Sequence, residues 1–147
     1  MDAVRVAGLE RRLGYRFRDS ALLERALTHA SYAHEHPPAT NHDRLAFLGD
    51  AVLGLVVAEH VIAADPDAPV GVLTPRRAEV VGSARLARFA LALELPRLLR
   101  LGRGEDQSGG RERESILATT LEAVLGAVYL DGGIDAARVA IGRVIAW

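Results

Sequence analysis

From Arg113 to Leu130 the chain is apolar nearly all the way round a helical wheel, the mark of a helix buried on every side. Such a helix is stable only when the rest of the chain wraps around it, so the architecture is one core with other elements packed on its axis. Half of the 147 residues are hydrophobic and only 5% are aromatic. Leu, Val and Ala must therefore do the packing, which favours helices over a β-sandwich. No alternating strand pattern, repeat, low-complexity tract or linker is present. The expectation is an all-α bundle in one domain, residues 1–147.

The surrounding helices can be read from their punctuation. An amphipathic start continues through Leu9 to Leu13 and stops at Gly14–Phe17. Asp19 or Ser20 caps a helix through Leu22, Leu23 and Leu27. After a loop at Glu35–Pro38, Thr40 or Asn41 caps a long helix reaching about Ala64, ended by the turn cluster Asp65–Pro69. Thr74–Pro75 reads as an N-cap followed by an N1 proline, opening a helix through Val80, Leu86 and Leu91. Pro96 interrupts. Leu101 to Gly110, with four glycines, reads as a polar loop. Asp131-Gly132-Gly133 stops the buried helix with left-handed backbone positions, and Asp135 caps a last helix ending at Ile145.

Composition narrows the chemistry. With no cysteine there are no disulfides, thiolate metal sites or cysteine nucleophiles. Met1–Arg5 lacks the apolar core of a secretory signal. The longest uninterrupted apolar stretch, near Ala51 to Ala58, is too short to span a bilayer. A soluble, cytoplasmic protein without a membrane partner is expected. The net charge is −1, so no global basic field advertises nucleic acid. All 18 basic residues are arginine, the side chain best suited to bidentate phosphate contacts, although a GC-rich genome gives the same bias. The histidines show no His-x-x-x-His spacing, so no zinc site is assigned. The Gly102–Gly110 loop lacks the Gly-Lys-Ser/Thr ending of a phosphate loop and reads as surface.

Two acids stand out because packing does not explain them. Asp50 lies in Arg44–Leu53 and Glu122 in Ile116–Leu125, both otherwise apolar helical runs. A carboxylate among apolar neighbours is costly unless it is paired or binds a metal. Two of them suggest one shared acidic site. Asp43, Ala46 and Asp50 fall at i, i+3 and i+7 and share a helix face, as do Thr119 and Glu122. The ordinary reading of Asp43 is an acid complementing the dipole of its first helical turn. For Asp50 it is a salt bridge to an arginine such as Arg77. The residues alone leave both readings open.

Asp43–Leu53 resembles the signature of the ribonuclease III family, and Ile116–Asp131 resembles its second signature helix. Leu27-Thr28-His29, Ser31-Tyr32, Leu101–Glu105, Ser108–Gly110 and Arg113–Ala118 match further family motifs in the same order. The resemblance implies a ribonuclease III-type helical bundle that forms a homodimer and cuts double-stranded RNA with Mg²⁺ or Mn²⁺. It makes Asp50 and Glu122 the catalytic and metal-binding acids, with Asp43 and Thr119 as outer-shell candidates. It also makes Phe47, by default a core aromatic, a dimer contact. Arg103, Arg111 and Arg113 become candidate RNA contacts, with a solvated charged loop as the plain alternative, and His29 is structural.

The chain departs from the family where its chemistry lies. Ala46 and Thr119 stand where the family has metal-binding acids, Val70 replaces a common acid, and Ala30 replaces a frequent arginine. Losing two acids weakens metal binding and also relieves repulsion of an RNA backbone. The expectation is a reduced site with catalysis weak or lost. Two readings stand beside it: an active endoribonuclease using Asp50 and Glu122, and a non-catalytic heterodimer or ribonucleoprotein scaffold. The C-terminal double-stranded-RNA-binding domain of many relatives is expected to be absent.

Overall fold

The computed structural model describes residues 1–147, and all of its regular elements are helical. Its eight α-helices are α1 (Ala3–Leu13), α2 (Ser20–Ala26), α3 (Ala30–Glu35), α4 (Asp43–Ala64), α5 (Val70–Val80), α6 (Ser83–Ala92), α7 (Arg103–Gln107) and α8 (Glu114–Val144). Short 3₁₀ turns cover Leu95–Arg97 and Gly110–Glu112. The all-α expectation holds.

The first part of α8 is the axis. Leu117, Leu121, Ala123, Val124, Leu125, Ala127 and Val128 are buried, and α1, α2, α4 and α6 all pack on this helix. Its most extensive partner is α4. Two glycines explain how closely the two helices meet. A Cβ on Gly49 would lie 1.7 Å from the Glu122 carbonyl oxygen, and one on Gly126 would lie 2.3 Å from that of Leu45. The backbones therefore touch, closer than the usual 8–10 Å between helix axes allows. Both helices are long and apolar enough to cross a membrane by length and composition, but here they form the centre of the bundle.

Gly133 breaks α8 as expected, with one difference. Its φ is +87° but its ψ is −179°, an extended left-side conformation open only to glycine, while Gly132 stays helical. Just before the break, Asp131 accepts hydrogen bonds from Tyr15 Oη (2.7 Å) and from the amides of Arg18 (2.7 Å) and Asp19 (3.1 Å). The segment after α1 is thus tied to the end of the core helix. Asp135 bonds Arg138 rather than capping the last segment.

Three boundaries differ from the sequence reading. The helix expected to open at Thr74–Pro75 begins at Val70, with Pro69 as its N-cap, and a break at Val81–Gly82 separates it from α6. Pro75 lies inside α5 without ending it. The glycine-rich stretch contains the short helix α7. Finally, α4 starts at Asp43, and Asn41 Oδ1 accepts the Asp43 amide at 2.9 Å.

Candidate functional site

The α4–α8 crossing decides what meets what. Gly49 is next to Asp50 in sequence and its backbone lies against that of Glu122. The notch therefore carries the two acids to the same point, and their side chains come within hydrogen-bonding reach of each other. Glu122 is partly buried, and its pKa is pushed up to about 8. Burial is the main cause, followed by the hydrogen bond to Asp50 and the charge of Asp50. Near neutrality Glu122 therefore keeps a proton that its hydrogen bond directs at Asp50. Asp50 is solvent-exposed and forms no ion pair, so the salt bridge to Arg77 does not exist.

The neighbouring positions add no charge. Ala46, one turn before Asp50, is buried at 7% exposure. Thr119, one turn before Glu122, is partly buried. Asp43 is exposed in the first turn of α4. No group of three or more His, Asp or Glu side chains gathers in the chain. The donor set is thus two carboxylates with a neutral hydroxyl beside them. It fits a Mg²⁺ ion held by one or two carboxylates and completed by water or phosphate oxygens, since a cation can replace the shared proton.

Phe47 is 84% exposed, which rules out the core reading. It borders a hollow of about 460 Å³ formed with Arg25, Arg44, Leu45, Leu48 and Leu130. Among the three arginines near the glycine-rich stretch, Arg111 is a structural clamp. It bonds both Asp106 carboxylate oxygens (2.9 and 3.2 Å) and the carbonyls of Pro96 (2.8 Å) and Leu99 (2.5 Å). Arg113 is paired with Glu105. Only the side chain of Arg103 is exposed and without an acidic partner.

The histidines are structural where they are ordered by contacts. His29 Nδ1 accepts the Ser31 amide at 3.1 Å and caps α3. His42, buried at 1% exposure, donates from Nδ1 to the Ala26 carbonyl at 3.2 Å. Burial holds its pKa below the usual value. Sequence reasoning missed His42 and Asp131. The only signal for His42 was its place immediately before the long apolar helix α4.

Residues 19–146 match the family described as ribonuclease-III-like. Ribonuclease 3 of Streptomyces coelicolor is 56% identical over 92% of this chain and 49% of its own length. Ribonuclease 3 of Symbiobacterium thermophilum is 51% identical over 94% of this chain and 58% of its own. This chain thus spans about half the length of these curated relatives. A solved nuclease domain of ribonuclease III from Campylobacter jejuni superposes with a TM-score of 0.89 at 38% identity, covering 95% of each chain. In that domain, a region involved in dimer formation is structurally flexible. A second structure of that domain gives a TM-score of 0.89 at 37% identity, covering 98% of this chain and 94% of its own.

Proposed function

Since the chain belongs to the ribonuclease-III-like family, we propose that it acts on double-stranded or structured RNA through a reduced metal site, with catalysis weak or lost. One observation carries this reading. The Asp50–Glu122 pair meets with no arginine on either carboxylate, while the adjacent positions hold only Ala46 and Thr119. Asp50 and Glu122 would hold Mg²⁺ or Mn²⁺, and Asp43 and Thr119 would act on its water shell. When bound, the metal would orient and activate water and offset charge on the scissile phosphate, leaving a 5′ phosphate and a 3′ hydroxyl.

The chain's own residues set the limits of that chemistry. Ala46 contributes a methyl group and Thr119 a neutral hydroxyl, so neither adds to the attraction for a dication. At an effective dielectric of ~20, each missing carboxylate charge removes several kcal/mol of that attraction. Fewer ligands also hold the ion less rigidly, and misplacement alone costs on the order of 100-fold in rate. The same losses leave the cleft less repulsive to a phosphodiester backbone. Arg103, free and exposed, is the arginine of its loop best placed to touch phosphate.

We place the protein in the cytoplasm as a homodimer. Phe47 stands beside an apolar hollow of its own chain, so a two-fold axis would seat each copy's ring in the other's hollow. A second reading, an active Mg²⁺-dependent endoribonuclease, is favoured by the retention of both acids.

Metal-dependent cleavage of a long RNA duplex tests these readings, run beside an Ala46→Glu/Thr119→Asp double variant. We expect little cleavage by the native chain and a clear gain in the double variant. Robust native cleavage abolished by Glu122→Gln would instead establish the active enzyme.

A further inference from the structure

We propose that the groove between α1 and the Leu93–Leu98 segment is a phosphate-binding site, separate from the Asp50–Glu122 cleft. It is built from elements that contribute nothing to that cleft, and it stands whether or not the chain cuts RNA.

The groove is a cavity of about 230 Å³ in which Arg5, Arg11, Arg12 and Arg97 face a single acid, Glu94. Arg5 also pairs with Asp2 at the rim, at 3.6 Å, so four guanidinium groups meet two carboxylates, still a local excess on a chain with a net charge of −1. Gly8 supplies the opening. It is buried, and a Cβ there would lie 3.2 Å from Arg12 Nη1 and 3.8 Å from Arg11 Nη2. Both guanidinium groups therefore fold over a floor with no side chain. Arg5 Nη1 donates to the Arg97 carbonyl at 3.4 Å, holding the next guanidinium beside them.

Glu94 is the second observation. It bonds Arg12, and its other oxygen lies 3.5 Å from Arg97 Nη1. It is also the one residue other than glycine with positive φ, at φ 59° and ψ 30°. A side chain with a Cβ is unfavourable there, and such positions persist where the surroundings hold them, often at binding sites. The left-handed turn points the carboxylate back among the arginines, where it stands in for an anion. Arg11 forms no ion pair. Two carboxylates, Glu94 and Asp2, leave the four guanidinium groups undercompensated. A phosphate group offers more charge and several oxygens to the planar guanidinium forks.

The ligand is a phosphate group, either free or carried in an RNA backbone, and two probes separate these sources. Inorganic phosphate is titrated calorimetrically, and a short RNA duplex is titrated by fluorescence anisotropy across salt concentrations. Both use the native chain, Arg11→Ala/Arg97→Ala and Glu94→Gln. The double arginine variant should bind the recognised probe about tenfold more weakly or worse. If that probe is the duplex, the salt slope should also fall by about one per arginine removed. Glu94→Gln removes the resident charge and should tighten binding several-fold, a gain that misfolding cannot produce. Loss confined to inorganic phosphate identifies a free phosphate ligand, and loss on the duplex identifies the backbone. Equal binding of both probes by the native chain and the arginine variant overturns the proposal, as does binding of neither probe.

Discussion

Replacing Gly49 with Ala should be among the most damaging single-methyl changes available to this chain. The new Cβ would lie 1.7 Å from the Glu122 carbonyl oxygen and 2.6 Å from its carbon, both backbone atoms that cannot rotate away. Restoring an ordinary 3.4 Å contact means moving α4 off α8 by more than an ångström along the largest packed surface in the protein. Overpacking of this kind costs ~1–3 kcal/mol even where side chains can adjust, and here only helix axes can, so about 3 kcal/mol or more is expected. Gly54, on the same helix, is the control, because a Cβ there meets nothing within 4 Å. Gly54→Ala should stabilise by ~0.5–1 kcal/mol through helix propensity alone. Urea unfolding of the two variants beside the native protein reads both effects. If Gly49→Ala lost less than about 1 kcal/mol, the backbone contact would not govern the crossing, and the notch could not be what aligns the two acids.

Three further predictions concern titration and assembly. Glu122 ionises near pH 8 when folded against 4.5 ordinarily. Between those limits the folded state keeps a proton the unfolded chain has released, so metal-free stability should fall as pH rises from 4.5 to 8, by at most ~5 kcal/mol from the shift itself and by about 3 kcal/mol once solvent screening of the half-exposed carboxylate is allowed for. In a chelator-treated denaturation series, Glu122→Gln should flatten that slope, and a slope unchanged by the substitution would contradict the assignment. His42 works on the other side, because burial holds its folded pKa below 6.5. Stability should decline as pH drops below that value, and His42→Asn, which retains a donor for the Ala26 carbonyl, should lessen the acid loss in the same series. Phe47→Ala should shift the protein toward monomer in sedimentation velocity while leaving its helical circular dichroism intact; an undiminished dimer would remove Phe47 from the interface.

The parts of the fold legible in the sequence were those whose burial is periodic or complete. Helices α4 and α8 carry long apolar runs, so their existence and their misplaced acids could be read directly. Helix α5 could not be placed, because only Leu73 and Val80 face inward and the Thr74–Pro75 pair imitates a helix start. Helix α7 has no buried residue at all, and its glycines read as loop. At the site, the identity of Asp50 and Glu122 was readable but their meeting was not. It depends on Gly49 and Gly126, which sit next to one acid and one turn after the other; glycine in the middle of an apolar helix is the available clue to close backbone approach. The role of Phe47 and the ties of Arg111 depend on tertiary neighbours that no local pattern encodes.

Two acids can remain together in this cleft without a metal because one proton suffices between them. Glu122 is partly buried and holds that proton at neutral pH, while Asp50 lies at the solvent edge. Had Ala46 and Thr119 also been acids, four carboxylates would have crowded the same crossing, and a single shared proton would leave several kcal/mol of repulsion at effective dielectrics of ~20. Such a cleft needs a cation to be stable as well as to be active. On the reading proposed for this chain, the two replacements uncouple those needs: the crossing becomes self-sufficient in charge, and metal binding becomes optional to folding. The difference is measurable, because added Mg²⁺ should raise the unfolding temperature of the Ala46→Glu/Thr119→Asp variant more than that of the native chain. Equal shifts in both proteins would mean that the replaced positions do not contribute to the metal site.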